Sequence, residues 1–89
     1  MPAYTAVVKP GHWDAQHYQL YCDSKSLDNL ALLEKLTKYL DAANDPKLKT
    51  YPKYMVAKTI EVIRFILAEE RDLNIDLAID QARSLGAMP

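Results

Sequence analysis

His12, His17 and Cys22 recur at a constant step, H-x4-H-x4-C. Imidazole nitrogens and a thiolate sulfur are zinc ligands, so this is the first pattern to weigh for chemistry. Asp14 adds a carboxylate only if the segment is a loop. On an α-helix a five-residue step turns the side chain by ~140°. The three groups are therefore expected to diverge and to serve structural roles, with no metal or cofactor. Glu69, Glu70 and Asp72 bring carboxylates together in sequence, but consecutive helical residues point in different directions and no general-acid partner stands beside them. They are expected on a solvated face. No nucleophile elbow, HExxH, paired CxxC or phosphate-binding glycine loop occurs. Two glycines in the chain give little material for a cradle of backbone amides. No catalytic residue is identified, and the chain is read as a non-enzyme.

The stretch DPKLKTYPKY, residues 45–54, offers binding rather than catalysis. Lys47, Lys49 and Lys53 alternate with Tyr51 and Tyr54. Lysines neutralise phosphates and tyrosines stack on unpaired bases. From Asp45 to Lys58 four lysines face one aspartate, a local balance of +3. Lys47, Lys49, Tyr51 and Lys53 are thus an anion-binding set for a nucleic-acid accessory protein, the alternative reading. Against it, the strip has no arginine for bidentate recognition, and a net charge of −1 gives no global attraction to nucleic acid or to an anionic membrane. Between Glu61 and Asp80 six acids outnumber two arginines, a balance of −4. A helix-turn-helix reading fails on these charges: Asp76 and Asp80 on the would-be recognition helix repel phosphates.

These residues are held by helices. Leu and Ala supply 12 and 11 of the 89 residues, and both favour helix. The expected fold is all-α: one domain over residues 1–89, with three main helices at about 26–43, 52–71 and 74–85. Ser26 is the expected cap of the first, with Asn44 as its C′ residue and Pro46 as its stop. Pro52 is the expected first residue of the second. Asn74 or Asp72 is expected to cap the third, which Gly86 ends in the left-handed conformation. Leu32, Leu33, Leu36 and Leu40, then Val56, Thr59, Ile60, Ile63, Ile66 and Leu67, then Ile75, Ala78, Ile79, Ala82 and Leu85 form the apolar stripes. Residues 1–22 are an N-terminal arm or a short fourth helix. Within them YTAVVK reads as a strand or extended arm, and Trp13 to Cys22 as a helix in preference to a strand. No apolar run reaches the length of a membrane span. The opening residues lack the pattern of a signal peptide. One cysteine excludes an internal disulfide framework, and a reducing cytoplasm is the expected setting.

The middle helix carries more apolar surface than one stripe needs. Tyr54, Met55, Val62 and Phe65 lie off the main stripe, bordered by Lys58 and Glu61. Two readings compete. Either residues 1–22, with Trp13, Tyr18, Leu20 and Tyr21, fold over this face, or the face docks a second chain. On the second reading Tyr54, Met55, Lys58, Val62 and Phe65 bind a protein partner or a second copy. The expected function is accordingly a non-catalytic interaction module: a small regulator, inhibitor or accessory subunit. The size and the missing catalytic motif equally suit an inhibitor encoded by a phage or mobile element.

Overall fold

The computed structural model describes residues 8–88, so the arm or strand expected from residue 4 onward lies outside them as far as residue 7. The fold is all-helical, with four helices and no strand among the described residues: α1 (Ala15–Ser24), α2 (Asn29–Ala43), α3 (Thr50–Arg64) and α4 (Ile75–Ser84).

Each start has a local cause. Asp14 caps α1: its Oδ1 accepts the His17 N–H at 3.1 Å, and its own N–H donates to His17 Nδ1 at 3.1 Å. This reciprocal pair is a capping box in which histidine replaces the usual Glu or Gln. Asp28, not Ser26, caps α2, its Oδ1 accepting the Ala31 N–H at 2.8 Å. Lys25 and Ser26 belong instead to a turn, closed where the Leu27 N–H donates to the Ser24 carbonyl at 3.0 Å. Asn44 stands at the C-cap of α2 in a right-handed conformation, φ −88°, one position before the C′ place expected of it. Helix α3 begins at Thr50, two residues before Pro52. Proline is tolerated there because the first four N–H groups of a helix have no internal acceptor. Asn74 caps α4 by accepting the Leu77 N–H at 3.1 Å, and Gly86, at φ +74°, reverses the chain after it.

Helix α3 passes without a break into a π-helical segment, Phe65–Glu70. The Arg71 N–H reaches the Ile66 carbonyl at 3.0 Å, and the Leu73 N–H reaches that of Leu67 at 2.9 Å. Such wide turns are rare inside helices. Here the turn buries three consecutive residues, Phe65, Ile66 and Leu67. Asp72 then adopts φ +50°, the left-handed region that redirects the chain into α4; it is not a cap.

The packing follows from the contacts. Gln16 meets Lys58, His17 meets Glu61, Tyr21 meets Glu70, and the Lys25 carbonyl meets Arg71. Helix α1 therefore runs in the same direction as α3 and covers only its second half. Asn29, at the start of α2, also holds Arg71, at 2.8 Å, so α2 runs back antiparallel to α3. Helix α4 packs on α2. The core joins Leu32, Leu33 and Leu36 of α2 to Val62, Ile63, Phe65, Ile66 and Leu67, together with Trp13 and Met88.

Phe65 lies in this core at 8% exposure, its ring 5.0 Å from that of Trp13 and 6.4 Å from that of Tyr21. Phe65→Ala is expected to lower stability by roughly 3 kcal/mol, through lost burial and the cavity left behind. Urea denaturation followed by circular dichroism measures this. Asp72→Gly is expected to raise stability by about 0.5–1 kcal/mol, because glycine enters the left-handed region without the Cβ clash; the same titration reads it.

Candidate functional site

Polar side chains converge where the N-terminal segment crosses α3. The Pro10-Gly11 turn, closed by the Trp13 N–H on the Pro10 carbonyl at 3.2 Å, sets His12 and Trp13 ahead of α1. Because Asp14 starts the helix, His12 is not part of it, and the five-residue helical rotation does not apply to the step from His12 to His17. The two histidines meet, contrary to the divergence expected from their spacing. Their ring centroids lie 5.8 Å apart, edge to face. Cys22, further along α1, is exposed and stands outside the group.

Glu61 of α3 is the common partner. Its Oε2 is hydrogen-bonded to His12 Nε2 and accepts the Trp13 indole N–H at 3.0 Å. Its Oε1 lies 3.2 Å from His17 Nε2. His17 is buried and stacked on Trp13, with centroids 5.7 Å apart and planes 8° from parallel. His12 is well exposed, and Glu61 stands between them in accessibility. Burial pushes the Glu61 carboxyl up, but hydrogen bonds from His12, Trp13 and His17 outweigh it and hold the group below the usual glutamate range. The Lys58 ammonium, 2.6 Å from Asp14 Oδ2, is the main cause that holds Asp14 well below its usual range, followed by the His17 backbone N–H.

The other singled-out residues separate. Val62 and Phe65 are core, and Phe65 lies under Trp13 of the chain's own N-terminal segment. Their place in the docking set is corrected: the cover weighed at the sequence level is present over this half of α3. Lys58 is half-buried and bonded to Asp14 and Gln16. Met55 is half-buried, and Tyr54 is 63% exposed, beyond the reach of α1. Lys47, Lys49, Tyr51 and Lys53 are all exposed near the start of α3. No side chain caps that helix end, and no acid lies in its first turn. Among the carboxylates weighed for catalysis, Glu70 accepts the Tyr21 hydroxyl at 2.6 Å and pairs with Lys9 at 3.7 Å, while Glu69 and Asp72 are exposed. Sequence reasoning missed Glu61 as the convergence point. The legible signal was the D-x-x-H capping spacing from Asp14 to His17, which places the helix start after His12.

A carboxylate depressed in the folded state contributes stability above its unfolded pKa and loses that contribution as pH falls through its folded pKa. Glu61 and Asp14 are expected to stabilise the fold above about pH 5 and to lose this progressively below about pH 4. Glu61→Gln and Asp14→Asn should each flatten the acid limb of stability against pH. Urea midpoints between pH 3 and pH 7 check this, and an unchanged acid limb would contradict it. Comparison with known proteins finds no matching family model, no similar curated protein and no similar solved structure.

Proposed function

We propose that the chain is a non-catalytic protein-interaction module, docking through the half of α3 that its own N-terminal segment does not cover. The observation that carries this is the exposure of Tyr51 and Tyr54, 67% and 63%, on the helix whose second half is sealed. Aromatic side chains supply interface energy at low entropic cost. With half-buried Met55 they form an apolar centre, and Lys47, Lys49 and Lys53 form a cationic rim.

The surface that complements this patch is an apolar groove edged with carboxylates. The chain carries one. Between α2 and α4, Leu40 and Ile79 floor a groove bordered by Asp41, Asp76 and Asp80, with Arg83 at its side. Helix α4 buries none of its residues completely, so its apolar stripe is only partly covered. The occupant proposed for that groove is the start of α3 from a second copy. Two such contacts about a two-fold axis close a dimer.

Nucleic-acid binding by Lys47, Lys49, Tyr51 and Lys53 is the second reading. It is favoured by the same exposed tyrosines beside an uncapped helix N-terminus. A single-stranded oligonucleotide titrated across a salt series separates the two: affinity falling steeply with salt supports the second reading.

For self-association, sedimentation equilibrium at low salt should show the average mass rising from 10.1 kDa with concentration. Tyr51→Ala with Tyr54→Ala should weaken association by roughly tenfold or more while leaving the helical spectrum intact. Asp76→Lys with Asp80→Lys should weaken it as well. Combining that variant with Lys49→Glu and Lys53→Glu should restore part of the loss. A protein that stays monomeric at millimolar concentration sinks the proposal.

A further inference from the structure

We propose that His12, His17 and Glu61 form a binding site for a divalent transition-metal ion, zinc by donor type, which pins the N-terminal segment to α3. One ligand atom from each residue lies within 4.8 Å of the other two. Two imidazole nitrogens and a carboxylate oxygen are a donor set that zinc accepts, with a further position left to water.

The geometry needs a modest closure. Ligands around tetrahedral zinc lie about 3.4 Å apart, from bonds near 2.1 Å. The Glu61 Oε1 to His17 Nε2 separation, 3.2 Å, already matches that spacing. His12 supplies the movement: it is exposed and follows Gly11, around which the structure is open. His17 and Glu61 are fixed by packing and by the helix, so the site has two anchored ligands and one adjustable one.

The surrounding groups are those a metal site requires. A metal-bound histidine generally donates its other ring N–H to a carboxylate or carbonyl. Asp14 Oδ1 stands 3.0 Å from His17 Nδ1 in that position, and Lys58 holds the opposite oxygen of the same carboxylate. The Trp13 indole N–H orients the Glu61 oxygen that faces His12. Binding at His17 Nε2 requires Nδ1 to carry the proton, which turns Nδ1 from acceptor of the Asp14 backbone N–H into donor to Asp14 Oδ1. The cap from Asp14 Oδ1 to the His17 backbone N–H remains in place. Lys58, already paired with Asp14, leaves the site with a net negative set of ligands. The site is independent of the docking patch, since none of its residues belongs to the exposed start of α3.

The test is calorimetric titration of Zn²⁺ into the untagged full chain after chelator dialysis, with Co²⁺ absorbance as a coordination probe. The expected result is saturable one-to-one binding, with Tm raised by roughly 10 °C at hundredfold excess over Kd. His12→Ala, at an exposed position, and Glu61→Gln, of the same shape, should each weaken binding by about tenfold or more and remove the Co²⁺ visible band. Asp14→Asn should weaken binding by roughly 10-fold while keeping one-to-one stoichiometry. Cys22→Ser should leave affinity unchanged. Absence of saturable binding at about 1 mM Zn²⁺, far weaker than structural zinc sites, overturns the proposal. So does affinity unchanged from that of the unaltered chain in His12→Ala and Glu61→Gln, or loss of binding in Cys22→Ser, which would move the ion to the thiol.

Discussion

The carboxylate of Glu61 is the constraint on which the arrangement of the N-terminal segment depends. It accepts from the Trp13 indole and is hydrogen-bonded to His12 and His17, so one side chain of α3 fixes three residues of the preceding chain. Hydrogen bonds to a charged group are worth roughly 1.5–3 kcal/mol where solvent is excluded and less at an exposed edge. The buried side of this network is the stronger one, since Trp13 and His17 are both sealed while His12 faces solvent. Once Trp13 is held there, its ring covers Phe65 and the core is closed at that end. A second tether lies further along: Tyr21 and Lys9 on Glu70.

These tethers explain why α3 has two unlike halves. Both act on residues from Glu61 onward, and α1 is only ten residues long. It therefore cannot cover the first turns of α3 while also reaching Glu70. The covered half becomes core, and its π-helical segment turns three successive apolar residues inward between α1 and α2. The other half lies beyond α1, and Tyr51 and Tyr54 stay in solvent. Apolar residues that look equivalent in sequence thus separate by position along the helix, not by the face they occupy.

Much of this was legible from periodicity. The leucine stripe of α2 and the isoleucine stripe of α3 place the core correctly, because a 3.6-residue repeat needs no tertiary knowledge. Gly86 announces its role through local backbone preference, while Asn74 and Asp72 are both cap candidates in sequence and only the fold selects Asn74. The errors have local causes as well. Pro52 reads as the first helical residue, yet the whole first turn tolerates proline. Ser26 and Asp28 both have capping side chains; the turn that Leu27 makes back to Ser24 takes Ser26 away from the helix start. The convergence on Glu61 was hidden for another reason. It joins residues 44 and 49 positions apart, and no periodic signal spans such a separation.

His17 couples the start of α1 to whatever occupies the other side of its ring. With Nδ1 accepting the Asp14 backbone N–H, the Nε2 proton points to Glu61. With Nδ1 protonated, that proton goes to Asp14 Oδ1, and Nε2 is free for a ligand other than a hydrogen-bond acceptor. Both arrangements keep Asp14 on the His17 backbone N–H, so the helix start survives either state. The histidine at this capping position differs from glutamate in one chemical respect: its far nitrogen extends the cap to a second helix. That far nitrogen makes the same residue a local helix-start signal and a tertiary tether.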